Sequence, residues 1–354
     1  MFEAGQEGIP AQGSDVRDPA LLFGDRMPRV SLPNAVRKAV NAGLCDGCKM
    51  SKGNTWEIDA LVGLFRVGLP ALDMALRNWL PGIDVRVGGV FCHGRPKVMI
   101  DKGKLKGKSC EIGDLLLVVR YMNAPVVTHQ ALLLQTKIGA TPQYPGVKDS
   151  AYKQFVLYTT WPEFTFFGGL KRDVNSKGSH PGAQYGFLDV CDDGCPSCKG
   201  TTAIPPSVVI RQLEATILDM VFQTGGRQTT LPPPPRTIGW DRVVWDLLLK
   251  SVGEVYHWTR GKARGDRAFR NGLFLMRTGT EPPQLLEEVA ASADFAAASE
   301  QSADDFSLAG ALSDERLSPP GITDDGVPRR FDDDPDRGLS VAVVEIDATQ
   351  ADLA

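Results

Sequence analysis

Three polar residues border two apolar segments in the middle of the chain. Asp114 precedes the run LLLVV, and Gln135 and Lys137 directly follow the next run, ALLL. A carboxylate can bind a divalent cation, and a lysine can position an attacking water and stabilise charge on a phosphate. These residue types therefore favour metal-assisted phosphodiester hydrolysis, provided that the fold brings them together.

The two apolar segments predict an antiparallel hairpin. Its register would bring Asp114 close to Gln135 and Lys137. Both segments are strand-like, and Asn123-Ala124-Pro125 between them is a turn signal. If the strands pair about that turn, opposed residue numbers sum to about 250, so Asp114 lies opposite residues 135–137. Alternate residues share a strand face, so Gln135 and Lys137 point the same way. The alternative is that Asp114 only caps a turn and Lys137 only ends a strand.

The rest of the chain predicts an α/β protein around this hairpin. The continuous apolar runs of the hairpin suit strands that are covered on both faces. We expect further strands at 83–92, 97–101, 164–167, 184–190, 272–276 and 339–346. We expect helices at 33–40, 55–66, 70–79, 148–160, 207–224 and 240–252.

The pattern IGD–LLLVV–…–ALLLQTK resembles the PD-(D/E)xK, or restriction-endonuclease-like, nuclease superfamily, in the Mrr-like variant with Gln in the second motif. Gly113-Asp114 stands where Pro-Asp is usual, and Gln135-Thr136-Lys137 forms the second motif. The resemblance covers about residues 50–170. It implies a mixed central sheet flanked by helices, here with a C-terminal helical extension. It also implies a helix after the lysine strand, and 148–160, with Gln154, fills that place.

The resemblance also implies a site and a function. Asp114 would hold Mg²⁺ or Mn²⁺ together with a glutamate from the N-terminal helix, for which Glu57 is preferred to Asp59. Gln135 would complete or orient the metal shell, and Lys137 would act on water and phosphate. The substrate would be DNA, and bacterial defence against foreign DNA is the associated role.

A second function class stays open on the same residues. Gln is a neutral amide and a weaker Mg²⁺ ligand than a carboxylate, so a catalytically silent subunit of a multiprotein defence complex is the alternative. Asp101 and Glu111 are further carboxylates near strand ends that could replace a ligand. A homo-oligomer is a further expectation that the sequence leaves open.

A run of alternating lysines precedes Asp114. Spaced by glycine or leucine, these cations could bind a phosphate backbone, whereas the alternative is a solvated loop. The residues are Lys102, Lys104, Lys106 and Lys108.

The seven cysteines include two C-x-x-C pairs. An odd count and a polar N-terminus without an apolar leader argue against a disulfide framework and favour the cytoplasm. Cys45 with Cys48 and Cys195 with Cys198 would supply the four thiolates of a structural zinc knuckle, because Zn²⁺ prefers a tetrahedron of such ligands. Cys191 and His180 are spare candidates. Two unrelated turns, or a redox pair, are the alternatives.

Charge and composition divide the chain. Residues 281–354 contain 18 acidic and 4 basic residues, against 25 acidic and 35 basic in residues 1–280. A basic body suits a polyanionic partner such as DNA, and no apolar stretch is long enough to predict a membrane span. We expect a flexible N-terminus at 1–28, a nuclease-like core at 29–200 and a helical extension at 201–280. An acidic disordered linker at 281–336 and a C-terminal strand at 337–354 that returns to the body would complete the chain.

Overall fold

The computed structural model shows a mixed α/β protein. It describes residues 31–50, 56–92, 96–139, 143–149, 151–166, 171–174, 178–189, 198–258, 273–277, 283–298 and 339–349. The predicted flexible N-terminus at 1–28 lies outside these ranges.

Seven helices are described along the chain. They are α1 (Leu32–Met50), α2 (Trp56–Gly63), α3 (Leu69–Trp79), α4 (Tyr152–Thr160), α5 (Leu213–Val221), α6 (Trp240–Trp258) and α7 (Gln284–Ala298). One turn of π-helix, Leu64–Gly68, joins α2 to α3 directly. None of the helices in the described ranges is long and apolar enough to cross a membrane.

The strands form a large central sheet and a small one. In chain order they are β1 (Asp84–Cys92), β2 (Lys97–Ile100), β3 (Ser109–Glu111), β4 (Leu115–Asn123), β5 (Val126–Ile138), β6 (Phe164–Phe166), β7 (Lys171–Arg172), β8 (Ala183–Asp189), β9 (Lys199–Ala203), β10 (Arg211–Gln212), β11 (Arg227–Thr229), β12 (Leu273–Arg277) and β13 (Ser340–Asp347). The central order is β10-β9-β8-β5-β4-β13-β1-β12, with β11 also on β5, and the small sheet runs β3-β2-β6-β7.

The hairpin of β4 and β5 forms the middle of the central sheet. Leu115 pairs with Leu134 and Asn123 with Val126, which confirms the predicted antiparallel register and the turn at Ala124-Pro125. The last strand, β13, lies beside β4 and runs parallel to it, and β8 runs parallel to β5. The sheet is therefore mixed, and strands that are far apart in sequence, such as β1 and β13, pair within it.

Helices cover both faces of this sheet, as the apolar runs indicate. Leu116 and Val118 of β4 point into a core shared with α4, α6, α7 and the small sheet. Leu117 and Val119 point into the opposite core, which α1, α2, α3 and α5 complete. Burial on both faces explains why these strands are uniformly apolar.

Helices α1 and α2 pack with their backbones in contact. A Cβ added at Gly63 would lie 2.1 Å from the carbonyl oxygen of Gly43, and one at Gly47 would lie 2.3 Å from that of Asp59. Only glycine fits at such a distance. The predicted end of the first helix near residue 41 is therefore wrong: Gly43 permits a close crossing, and α1 continues through Cys45 and Cys48 to Met50.

Two expectations for the second half of the chain are also corrected. Residues 201–280 are not a separate helical extension, because β9, β11 and β12 pair with β8, β5 and β1 of the central sheet. The helix expected at 207–224 begins only at Leu213.

The acidic segment is not wholly without structure. Residues 284–298 of the expected disordered linker form α7, whose Leu285, Leu286 and Val289 are buried against the core. These apolar residues at helical spacing stabilise the helix despite the acidic surroundings. The remainder of that segment, 299–336, lies outside the described residues.

Candidate active site

The hairpin register positions Asp114 beside the end of β5. Asp114 directly precedes β4, and its backbone N–H donates to the carbonyl of Leu134 over 2.9 Å. The next residue on β5 is Gln135, so the predicted encounter of Asp114 with this segment occurs.

One carboxylate oxygen of Asp114 accepts three hydrogen bonds. Oδ2 accepts hydrogen bonds from the side-chain Nε2 of Gln135 at 2.5 Å, from the backbone N–H of Thr136 at 2.6 Å and from the hydroxyl of Thr136 at 2.9 Å. Among the described residues, no hydrogen bond reaches Oδ1. The carboxylate is therefore held firmly by one oxygen while the other stays available to a ligand.

A chain of amides links Asp114 to a second carboxylate. Nε2 of Gln154, on α4, donates to Oε1 of Gln135 at 2.8 Å and lies 3.2 Å from Oε2 of Glu111. Gln135 and Gln154 are both buried. Because both ends of the Gln135 amide are engaged, this side chain orients Asp114 and has no free oxygen for a metal.

Lys137 faces a carboxylate from the helical layer. Its Nζ lies 3.7 Å from Oε1 of Glu57, the second residue of α2, and both side chains are about a third exposed at 31% and 40%. Glu57, preferred from the sequence, thus approaches the hairpin end. Asp59 on the same helix is buried at 1% exposure.

The site is acidic and partly desolvated. The pKa of Asp114 is raised to about 7, first because burial disfavours the charged carboxylate and then because Glu111 and Glu57 repel it. The charge of Lys137 and the hydrogen bond from the Thr136 backbone N–H lower the pKa of Asp114 and so offset part of this rise. A cation at this position would relieve the repulsion among the three carboxylates.

The carboxylate oxygens at the site are suitable Mg²⁺ ligands, but they are too few to fill its coordination shell. Mg²⁺ binds hard oxygens and usually keeps several waters, so one or two carboxylates suffice. Within the described ranges, no group of three or more His, Cys, Asp or Glu residues is close enough to hold a metal. Asp114 Oδ1 with one glutamate is therefore the arrangement that these residues allow.

Asp101 is not part of this arrangement. Its carboxylate accepts the hydroxyl of Thr165 at 2.6 Å within the small sheet. Of the two substitute ligands considered from the sequence, Glu111 lies at the candidate site and Asp101 does not.

The four lysines lie on the loop between β2 and β3. Gly103 and Gly107 adopt positive φ values of 82° and 76°, which the turns require. Lys104, Lys106 and Lys108 are exposed, whereas Lys102 pairs with Glu163, which also binds Lys171. The strand that leaves this loop, β3, ends at Glu111, so the loop is three residues away from the candidate site in sequence.

The cysteine pairs are only partly visible. Cys45 and Cys48 lie within α1, so the expected knuckle-like turn at 45–48 is wrong. The Sγ atoms of Cys48 and Cys198 nevertheless lie 3.1 Å apart. Cys191 and Cys195 lie outside the described residues. His180 packs between the rings of Trp161 and Trp240 in the core.

Sequence analysis assigned no role to two contributors: Thr136, and Gln154, which was named only as part of the expected helix at 148–160. Gln154 shares its buried helix face with Leu157 and Tyr158. A polar side chain on an apolar helix face is a usable signal, since buried amides need partners. Thr136 offers no such signal, because its two hydrogen bonds to Asp114 come from a backbone N–H and a hydroxyl whose partner only the strand pairing defines.

Comparison with protein-family models, with curated protein sequences and with solved structures gave no match. The geometry of the site therefore carries the functional argument.

Proposed function

We propose that this protein is a metal-dependent nuclease of the PD-(D/E)xK type that cleaves DNA. The observation that carries the proposal is the Asp114 carboxylate, which three donors hold by Oδ2 while Oδ1 stays open. Glu57 and Lys137 stand close by, across from each other.

Each residue then has a distinct task. Asp114 Oδ1 and a glutamate, Glu57 with Glu111 as the reserve, would hold Mg²⁺ or Mn²⁺, which supplies charge stabilisation and an acidified water. Lys137 orients the attacking water and stabilises negative charge on the phosphate. Gln135 and Gln154 fix the carboxylates, as partners behind metal ligands commonly do.

The raised pKa of Asp114 fits this role. A carboxylate that is strained by desolvation and by neighbouring negative charge gains from a cation, so burial and repulsion create affinity for the metal. Protonation competes with the metal, so at limiting metal concentration cleavage should fall as the pH drops through about 7.

DNA is the proposed substrate because of charge and position. Lys104, Lys106 and Lys108 are exposed on a loop that leads to Glu111, and such cations bind phosphates without reading sequence. Action on foreign DNA in the cytoplasm, as part of bacterial defence, is the role we propose from the family resemblance.

Plasmid cleavage with Mg²⁺ or Mn²⁺ tests the proposal. We expect Asp114→Asn and Lys137→Ala to lose cleavage by about 100-fold or more, as for groups that stabilise transition-state charge. Matched controls are Asp84→Asn at the start of β1 and Lys38→Ala on α1, which should cleave like the wild type. Equal cleavage by all five proteins would refute the assignment.

A catalytically silent DNA-binding subunit is the second candidate. The absence, within the described part of the chain, of a group of three metal-ligating residues favours it. In that case the wild type would bind DNA but leave it intact with either metal, and Asp114→Asn would change neither property.

A further inference from the structure

A cavity of about 50 Å³ lies between the helical layer and one face of the central sheet. Helices α1, α3 and α5 and the π-helical turn line one side, and β4, β5 and β13 line the other. Within the described part of the chain, every residue that lines the cavity is apolar, as Leu72, Leu117 and Ile217 illustrate. One water needs only roughly 10–15 Å³, but it also needs about two to four polar partners. The cavity is therefore roomy enough for a small molecule and too apolar to hold water.

Gly68, the last residue of the π-helical turn, keeps part of this space open. A Cβ added there would lie 3.4 Å from Cδ2 of Leu64 and 3.5 Å from the carbonyl oxygen of Ala39, which are ordinary van der Waals distances. The backbone of Gly68 is right-handed helical, with φ −65° and ψ −50°, so alanine would fit and would favour the helix. At Gly47 and Gly63, in contrast, an added Cβ would collide with backbone atoms. Packing therefore requires glycine where α1 crosses α2 but not at Gly68.

Leu64, the first residue of the same turn, connects the cavity to the surface. Its side chain is half-buried, whereas the other residues that line the cavity are buried. A π-helical turn within an α-helix is rare and frequently occurs at functional sites. A ligand that enters past Leu64 would have its inner end among apolar side chains and its outer end in water.

We propose that this cavity binds the methyl end of a short aliphatic chain, whose polar end stays in solvent. The apolar walls exclude a charged or hydrogen-bonding group, because such a group would lose its water without gaining a partner. An engineered apolar cavity of about 150 Å³ binds benzene, so a cavity of about a third of that volume suits the end of a chain and not a ring. The chain gains dispersion contacts with walls that otherwise face empty space.

The cavity adjoins the segments that position the candidate active site. Leu115 directly follows Asp114, Leu134 directly precedes Gln135, and the π-helical turn continues from α2, which carries Glu57. A bound chain would therefore lie against both parts of the site. Its binding can be measured without DNA or metal, so a failure of this proposal and a failure of the proposed nuclease function are distinguishable.

Methyl NMR of the full-length protein, with octanoate as the probe, tests the proposal. Octanoate should produce saturable shifts of the Ile217 and Ala342 methyl signals and leave the signals of Ile100, in the opposite core, unchanged. Octanedioate, which carries a charge at both ends, should shift none of them. Octanoate titrations without saturable shifts at Ile217 and Ala342, or equal shifts with octanedioate, would overturn the proposal.

Gly68→Ala narrows the cavity and should weaken octanoate binding by about tenfold, since one carbon more or less in an apolar pocket changes affinity by that order. Gly146→Ala is the matched control, because an added Cβ also has room there, 3.5 Å from Oδ2 of Asp149, and Gly146 does not line the cavity. It should bind octanoate like the wild type. Ala342→Val adds volume from the sheet side, should also weaken binding, and covers the case in which Gly68→Ala does not fold. Wild-type affinity in a folded cavity variant would contradict the proposal.

Discussion

Two acidic residues at opposite ends of the central strands show what separates a candidate site from a structural contact. Glu345 on β13 is 1% exposed. Its Oε2 accepts the backbone N–H of Gln284 at 2.6 Å and its Oε1 that of Leu285 at 2.7 Å, with Arg120 at 3.4 Å. Both oxygens are engaged, so Glu345 caps the first turn of α7.

Asp114 differs in its unused oxygen and in its neighbours. Oδ1 receives no hydrogen bond from the described residues. Burial first, and then the charges of Glu111 and Glu57, raise the pKa of Asp114 to about 7. The pKa of Glu345 is also raised by burial, but the α7 backbone and Arg120 oppose the shift. Burial alone therefore does not distinguish the two carboxylates; an open oxygen and neighbouring like charges do.

The largest expected effect is on activity. Asp114→Asn should reduce cleavage by about 100-fold or more, because a neutral amide neither binds Mg²⁺ well nor offsets its charge. Glu345→Gln should leave the cleavage rate of the folded fraction within about twofold. The measurement is the DNA cleavage rate of each variant, divided by its folded fraction from circular dichroism. Similar losses in Asp114→Asn and Glu345→Gln would show that the two carboxylates do not differ in function.

The next effect is on stability, where Glu345, and not Asp114, is the residue whose replacement should be destabilising. Glu345→Gln should lower the free energy of unfolding by about 1–2 kcal/mol, because an amide offers one acceptor oxygen to the two α7 N–H groups that Glu345 accepts. Burial raises the pKa of Glu345, so the charge itself adds little to this loss. Urea denaturation measures the change. Glu288→Gln, which removes the half-exposed partner of Arg120, should cost less than about 1 kcal/mol. A larger cost for Glu288→Gln would contradict this account of Glu345.

The ionised Asp114 carboxylate should lower the free energy of unfolding at neutral and alkaline pH. Its pKa rises from 3.8 to about 7 on folding, so the folded state binds the extra proton, and stability falls as pH rises from about 4 to about 7. Asp114→Asn should flatten this dependence and raise the free energy of unfolding at pH 8 by about 1 kcal/mol or more. Urea titrations at several pH values, without divalent metal, test it. A variant less stable than wild type at pH 8 would contradict the prediction.

A smaller loss of cleavage is expected when the hydrogen-bonded side-chain amides of Gln135 and Gln154 are disrupted. Gln154→Ala should lower cleavage by about tenfold, because it releases Gln135 and Glu111 without removing a metal ligand. Thr160→Ala, at the exposed end of the same helix, is the control. An unchanged rate in Gln154→Ala would show that the amides do not position the carboxylates.

The smallest effect concerns the lysine loop. Replacing Lys104, Lys106 and Lys108 with alanine should weaken DNA binding. It should also make the salt dependence shallower by up to about 2.7 units of slope, since each of three phosphate contacts contributes about 0.9. Fluorescence anisotropy at several salt concentrations measures both. The control is a triple variant at three exposed lysines elsewhere, Lys38, Lys49 and Lys199, which carries the same charge change. An equal effect in both triple variants would remove the special role of the loop.

Much of the central hairpin could be predicted from sequence, because its geometry follows from local rules. Strand alternation and a proline turn are sufficient to place Asp114 opposite Gln135. Glu57 was placed only through the family resemblance, and Gln154 was given no role, since its contacts depend on how α4 packs. The full length of α1 could not be predicted, because Gly43 reads as a helix stop unless the crossing helix is known.

The insertion of β13 beside β4 was equally beyond sequence reasoning. The strand itself was expected, but its neighbours are set by which edge of β4 stays unpaired after β5 has taken the other.

We propose that Asp114 is a metal-binding carboxylate and that Glu345 is not. The most direct test is isothermal titration of Mg²⁺ or Mn²⁺ into wild type, Asp114→Asn and Glu345→Gln at pH 8. The account predicts one binding event in wild type and in Glu345→Gln, and at least a tenfold weaker one in Asp114→Asn. Equal metal affinity in wild type and Asp114→Asn would contradict it.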